Sequence, residues 1–145
     1  MTKQANRSQE IFLSHASKNH RFATKLARLL TAHGLRVWYS KTHIVGARQW
    51  HDEIGSALSR CGWFVVLLSK HSVKSIWVKR ELLYALQQKR YLERIVPVLV
   101  ERCDVSKLSW TLPSFQIVDL TREPLQGYRE LLRVWRLRYN PKTHI

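Results

Sequence analysis

The chain reads as an α/β protein in which a parallel sheet is covered by helices on both faces. Short apolar runs alternate with longer segments whose apolar residues recur every three to four positions. The runs themselves, such as Phe64-Val65-Val66-Leu67-Leu68 and Ile95-Val96-Pro97-Val98, are continuously apolar, as strands buried on both faces are. A length of 145 residues suits one ordinary domain with its own core. No internal repeat, low-complexity tract or linker divides it.

Residues 1–9 are a polar lead-in, residues 10–139 the domain, and residues 140–145 a tail. Ile11-Phe12-Leu13 forms a first strand, followed by the polar loop Ser14-His15-Ala16-Ser17-Lys18-Asn19. From His20 to His33, the residues Phe22, Leu26, Leu29 and Leu30 mark a helix face, and Gly34 ends it. Leu35 to Tyr39 is a second strand. Lys41 to Gln49 is expected as a loop around Val45-Gly46, after which Trp50, Ile54, Ala57 and Leu58 give a second helix face up to Gly62. Trp63 to Leu68 is the third strand, and a helix is expected from Ile76 to Tyr91. A fourth strand spans Ile95 to Val100, and Cys103 to Pro113 is irregular. A fifth strand covers Gln116 to Leu120, and a last helix is expected over Pro124 to Tyr139, with Pro124 in its first turn.

Twenty-five Lys and Arg stand against ten Asp and Glu, a formal charge of +15. Such a surface favours anionic partners: a dinucleotide, a nucleic acid or an acidic protein. Solubility alone is the plainer explanation. Arg129, Arg133, Arg136 and Arg138 cluster at the last helix, yet no recognised nucleic-acid motif is present. Cys61 and Cys103 lack CxxC spacing, and the histidines show no metal-ligand spacing, so no metal or redox pair is expected. The polar start and the lack of a membrane-length apolar run predict a cytoplasmic chain without membrane contact.

Against that charge, one acid stands out. Glu81 lies early on the third predicted helix, just past the buried third strand, where α/β proteins place their chemistry. Trp77 precedes it by four residues and so shares its helix face. The plainer alternatives are a solvated glutamate and a core tryptophan.

Four blocks resemble the Toll/interleukin-1 receptor (TIR) domain of the prokaryotic and plant-like kind. They are Ile11-Phe12-Leu13-Ser14-His15-Ala16-Ser17; Val37-Trp38-Tyr39 with Ile44-Val45-Gly46 and Trp50; Leu67-Leu68-Ser69 with Ser72, Ser75, Trp77 and Glu81, a WxxxE pattern; and Ile95-Val96-Pro97-Val98. The resemblance implies a flavodoxin-like three-layer sandwich whose five-stranded parallel sheet has the order 2-1-3-4-5. In such a sheet the crevice lies between strands 1 and 3, beyond their carboxyl ends. Its bordering loops here are Ser14–Asn19 and Ser69–Ser75.

Many members of that family cleave NAD and release nicotinamide, so the resemblance implies NAD as substrate and no cofactor. Glu81 takes the catalytic position. Trp77, Ser14, His15, Ser17, Ser69, Ser72 and Arg48 are the implied substrate contacts, and Val45, Gly46 and Trp50 the implied self-association residues. The alternative is a non-enzymatic adaptor acting by association with other TIR domains. Two positions depart from the family pattern: Ser40 stands where many relatives are acidic, and Lys18-Asn19 replaces an acidic pair.

Overall fold

The apolar runs become the strands of one sheet. A computed structural model describes residues 8–40 and 47–143, with the helical backbone alone for 47–50. The strands β1 (Ile11–Ser14), β2 (Val37–Trp38), β3 (Trp63–Leu68), β4 (Ile95–Leu99) and β5 (Val118–Asp119) lie in the order β2-β1-β3-β4-β5. Every neighbouring pair is parallel, with Ile11 beside Trp63, Ser14 beside Val66, and Leu68 beside Leu99. This is the expected flavodoxin-like order.

Continuous apolar strands are explained by the two cores they feed. Ile11, Leu13, Val65 and Leu67 point to one face, where α1 (His20–Ala32) and α4 (Pro124–Arg133) cover them. Phe12, Phe64, Val66 and Leu68 point to the other, under α2 (Ala47–Arg60) and α3 (Ile76–Leu86). Successive strand residues face opposite ways, so a strand covered twice must be apolar at every position. Pro97 is tolerated in β4 because pairing with β5 begins only at Val98. Cys61 is buried in the second core, where desolvation pushes its thiol up to about 12 and leaves it a small hydrophobe.

Helix ends depart from expectation at three places. The second helix starts at Ala47, inside the segment expected as loop. The third stops at Leu86, and Lys89–Tyr91 forms a separate 3-10 turn. That break lets the buried Tyr91 donate its hydroxyl to the Leu58 carbonyl at 2.6 Å, tying the turn to α2. The fourth ends at Arg133 rather than Tyr139, and Arg136 takes a left-handed φ of 59°. There the N–H of Leu137 bonds the carbonyl of Leu132 and that of Arg136 the carbonyl of Arg133. The pair is a Schellman closure. Gly34, at φ 91°, closes α1 in the same way, with Leu35 bonded to Leu30.

Among the described residues no helix is long and apolar enough to cross a membrane. The Ser8 and Gln9 end of the lead-in is tied down: the Ser8 carbonyl accepts from Arg94 and the Gln9 side chain from the Trp63 indole.

Candidate active site

Glu81 is fixed from two directions. Ser75 caps α3, its hydroxyl accepting the Val78 N–H at 3.2 Å, which sets where the helix begins. The Ser14 hydroxyl, buried at the end of β1, donates to Glu81 Oε1 at 2.7 Å. The carboxyl therefore sits at the carboxyl end of β1, beside the topological switch point. Burial raises its pKa to about 7, and the Ser14 hydrogen bond opposes that rise by favouring the ionised form. Near neutral pH, Glu81 stands between its two protonation states.

A cavity of about 350 Å³ opens between α2 and α3 onto this carboxyl. From α3 it is lined by Trp77, Arg80, Glu81 and Tyr84; from α2, the apolar residues Ile54 and Leu58 contribute. Trp77, weighed above as core, is 42% exposed. The Arg80 guanidinium lies 5.3 Å from its ring centroid, a cation–π contact. The wall thus combines an indole, a phenol, a cation and one carboxyl over the apolar Ile54 and Leu58, with His51, Gly55 and Ser59 of α2 completing the lining. Such a surface suits a ligand with flat rings, anionic groups and a positively charged reacting centre.

The mouth of the site differs from expectation. The loops Ser14–Asn19 and Ser69–Ser75 are bridged, Ser69 Oγ donating to Asn19 Oδ1 at 2.6 Å. The opening therefore runs sideways between two helices rather than between those loops.

Of the sequence-derived contacts, the structure brings together Glu81, Trp77 and Ser14. Ser69 and Ser72 are fully buried, and each hydroxyl is engaged within the loop. Ser69 Oγ accepts from the Ser72 and His71 N–H groups, while Ser72 Oγ accepts from the Ser69 N–H at 2.7 Å. They hold the loop after β3 and do not line the cavity. Ser17 is exposed in a 3-10 turn. His15 turns away, its Nδ1 2.8 Å from the Ala16 carbonyl and its ring against His20 and Tyr39. Val45 and Gly46 lie outside the described residues. Arg48 and Trp50 fall in the first turn of α2, their side chains likewise outside them.

Arg80, Tyr84, Ile54, Leu58, Gly55 and Ser59 are lining residues that the sequence did not single out, and His51, expected as a surface or cap residue, lines the cavity as well. For Arg80 and Tyr84 a signal existed: 77, 80, 81 and 84 follow the i, i+3, i+4, i+7 spacing of one helix face. Ile54 and Leu58 carry no such signal, since their apolar stripe fits a core role equally well. No cluster of three His, Cys, Asp or Glu that could hold a metal occurs among the described residues.

Solved structures share the fold, among them two TIR-containing receptors. The TIR domain of the Toll-related receptor TRR-2 from Hydra magnipapillata superposes with a TM-score of 0.72 at 17% identity, covering 87% of this chain and 97% of that one. A TIR-STING receptor from C. gigas, solved with 2',3'-cGAMP, gives 0.64 at 20% identity, covering 81% of this chain. This chain spans 37% of that receptor's length. No curated protein sequence matches. The sequence model of the TIR domain, however, matches residues 11–132, which takes in all five strands and nearly all of α4. The chain belongs to the TIR domain family.

Proposed function

We propose that this TIR domain cleaves the N-glycosidic bond of NAD, releasing nicotinamide and a linear, cyclic or variant ADP-ribose, in immune or stress signalling. The observation that carries this is Glu81: one carboxyl at the carboxyl end of β1, held by Ser14, opening on a cavity that Trp77 also lines.

The chemistry needs little more. Nicotinamide is cationic in NAD and departs as a neutral base, so no general acid is required. Positive charge instead builds on the ribose, as in the oxocarbenium-like transition states of glycoside cleavage. A carboxylate fixed beside the ribose stabilises that charge, and the apolar floor strengthens the interaction by excluding water. Bound NAD also favours ionisation of Glu81, because its cationic ring lies near the acid. Trp77 and Tyr84 offer rings for the bases, and Arg80 a fork for the pyrophosphate. Assembly with further copies through the Val45-Gly46 segment is part of this proposal.

A second function, homotypic TIR association without catalysis, is favoured by the exposed apolar residues Ile76 and Leu83 on α3, 53% and 42% exposed. One experiment separates the two. Concentrated protein is incubated with NAD, and nicotinamide release is compared with that of Glu81→Ala. Release by the wild type with a loss of about a hundredfold or more in the variant supports catalysis. Equal release from both removes Glu81 from the mechanism, and no release from either under crowding leaves the adaptor.

A further inference from the structure

Six of the cations behind the charge of +15 belong to α1 and to the segment from α4 onward. On α1, Arg21, Lys25 and Arg28 are exposed at one-turn spacing, and the helix has no acidic residue. Arg129 on α4 and Arg136 and Arg138 beyond it are also exposed. The chain after α4 joins these two sets. Tyr139 stacks on His33 at 5.9 Å between ring centroids, and the Asn140 N–H donates to His33 Nε2 at 3.0 Å. The C-terminal segment is thus laid against the end of α1, on the one side of the sheet that α1 and α4 both cover. None of the six cations lies within ion-pair distance of a described carboxylate. Glu130 is the one carboxylate on α4. The Glu81 cavity is on the other side, between α2 and α3.

We propose that this α1/α4 face binds the phosphate backbone of a nucleic-acid duplex without reading its sequence. Five of the six cations are arginines, whose planar forks match phosphate oxygens. One-turn spacing sets cations about 5–6 Å apart along α1, against a duplex carrying one charge per about 1.7 Å of axis, so several phosphates are met at once. An anionic membrane fits less well. Of the large exposed hydrophobic residues, only Leu125 belongs to either helix, so the face has little to insert. An acidic protein partner would call for aromatic or aliphatic anchors, which the face also lacks. Single strands bind on exposed aromatic platforms, whereas the most exposed tryptophan among the described residues, Trp110, belongs to the segment between β4 and β5.

The test is a salt titration of the whole chain with a fluorescent DNA duplex of about 20 base pairs, from about 50 to 200 mM salt. Micromolar binding is expected, with a log–log slope near −5 if all six cations meet phosphates, at about −0.9 each. The triple variant R21A/K25A/R28A should reduce the slope by about 2 to 3, and so should R129A/R136A/R138A. K79A/K89A/K107A, which removes equal charge from exposed positions elsewhere, should leave it unchanged. Melting curves of all three variants confirm that they fold. No duplex binding at the lowest salt overturns the proposal. So does an equal drop in slope for the control, which makes the effect one of net charge. Tighter binding to phosphatidylserine vesicles or to polyglutamate than to duplex overturns it too, in favour of a membrane or protein partner.

Discussion

At the residue scale, everything turns on the protonation of Glu81. Its carboxyl is raised to about 7 by burial, and the ionised form is the one that can stabilise an oxocarbenium. For the proposed NAD cleavage, kcat/KM should therefore climb with pH and level off above about 7, since it reports the free enzyme. Ser14 favours the ionised form, so Ser14→Ala should move that limb to higher pH; an unmoved limb would separate Ser14 from the titration. Stability runs the opposite way. A carboxyl whose folded pKa exceeds its unfolded value of 4.5 contributes most below that value. The contribution fades as pH rises through about 7, by roughly 3 kcal/mol at most. Glu81→Gln keeps an acceptor for Ser14 but carries no charge. It should melt several degrees above the wild type at pH 8 and close to it at pH 4.5. Equal melting temperatures at both pH values would contradict a buried, raised carboxyl.

At the scale of elements, the two Schellman closures make a matched pair. Gly34 ends α1 at φ 91° without steric cost, whereas Arg136 closes the C-terminal turn after α4 at φ 59° with a Cβ in the way. Arg136→Gly should therefore stabilise the fold by roughly 0.5–1 kcal/mol, and Gly34→Ala should cost about as much, both read by chemical denaturation. The contrast also shows what the sequence can reveal. Gly34 was readable as a stop because glycine prefers that conformation; Arg136 has no such preference, and the last helix was expected to run on to Tyr139. The central run was readable to the residue, β3 spanning Trp63 to Leu68, whereas the edge strands expected over Leu35–Tyr39 and Gln116–Leu120 pair only at Val37–Trp38 and Val118–Asp119. The third helix was expected to continue to Tyr91; the separate turn found there is tied to Leu58, 33 residues away, a contact no local pattern announces. The site divides along the same line. Trp77 and Glu81 share one helix, so their proximity follows from local geometry. The bond from Ser14 spans 67 residues, and the Ile54–Leu58 floor comes from another helix. Ser69 and Ser72 looked like ligand contacts because a polar loop sequence does not show that its hydroxyls are already engaged.

At the scale of the whole molecule, the sheet separates two surfaces. The α2/α3 side holds the Glu81 cavity, and the α1/α4 side carries the basic stripes. Ligands on the two sides need not compete, and a polyanion on one leaves the cavity on the other open. Several chains brought together on one duplex would raise the local concentration of domains that act by association. The parallel, doubly covered sheet makes the Glu81 position robust: the acid lies at the rim of a cavity rather than among the buried apolar residues. Its loss should remove chemistry and leave the fold. The most direct test is nicotinamide release from NAD by the wild type and Glu81→Gln, side by side across pH 5–9, with both shown to be folded. Release by the wild type that rises through about pH 7, with the variant reduced by about a hundredfold or more at every pH, is the predicted result. Equal release from the folded variant would contradict the assignment of Glu81 as the catalytic group.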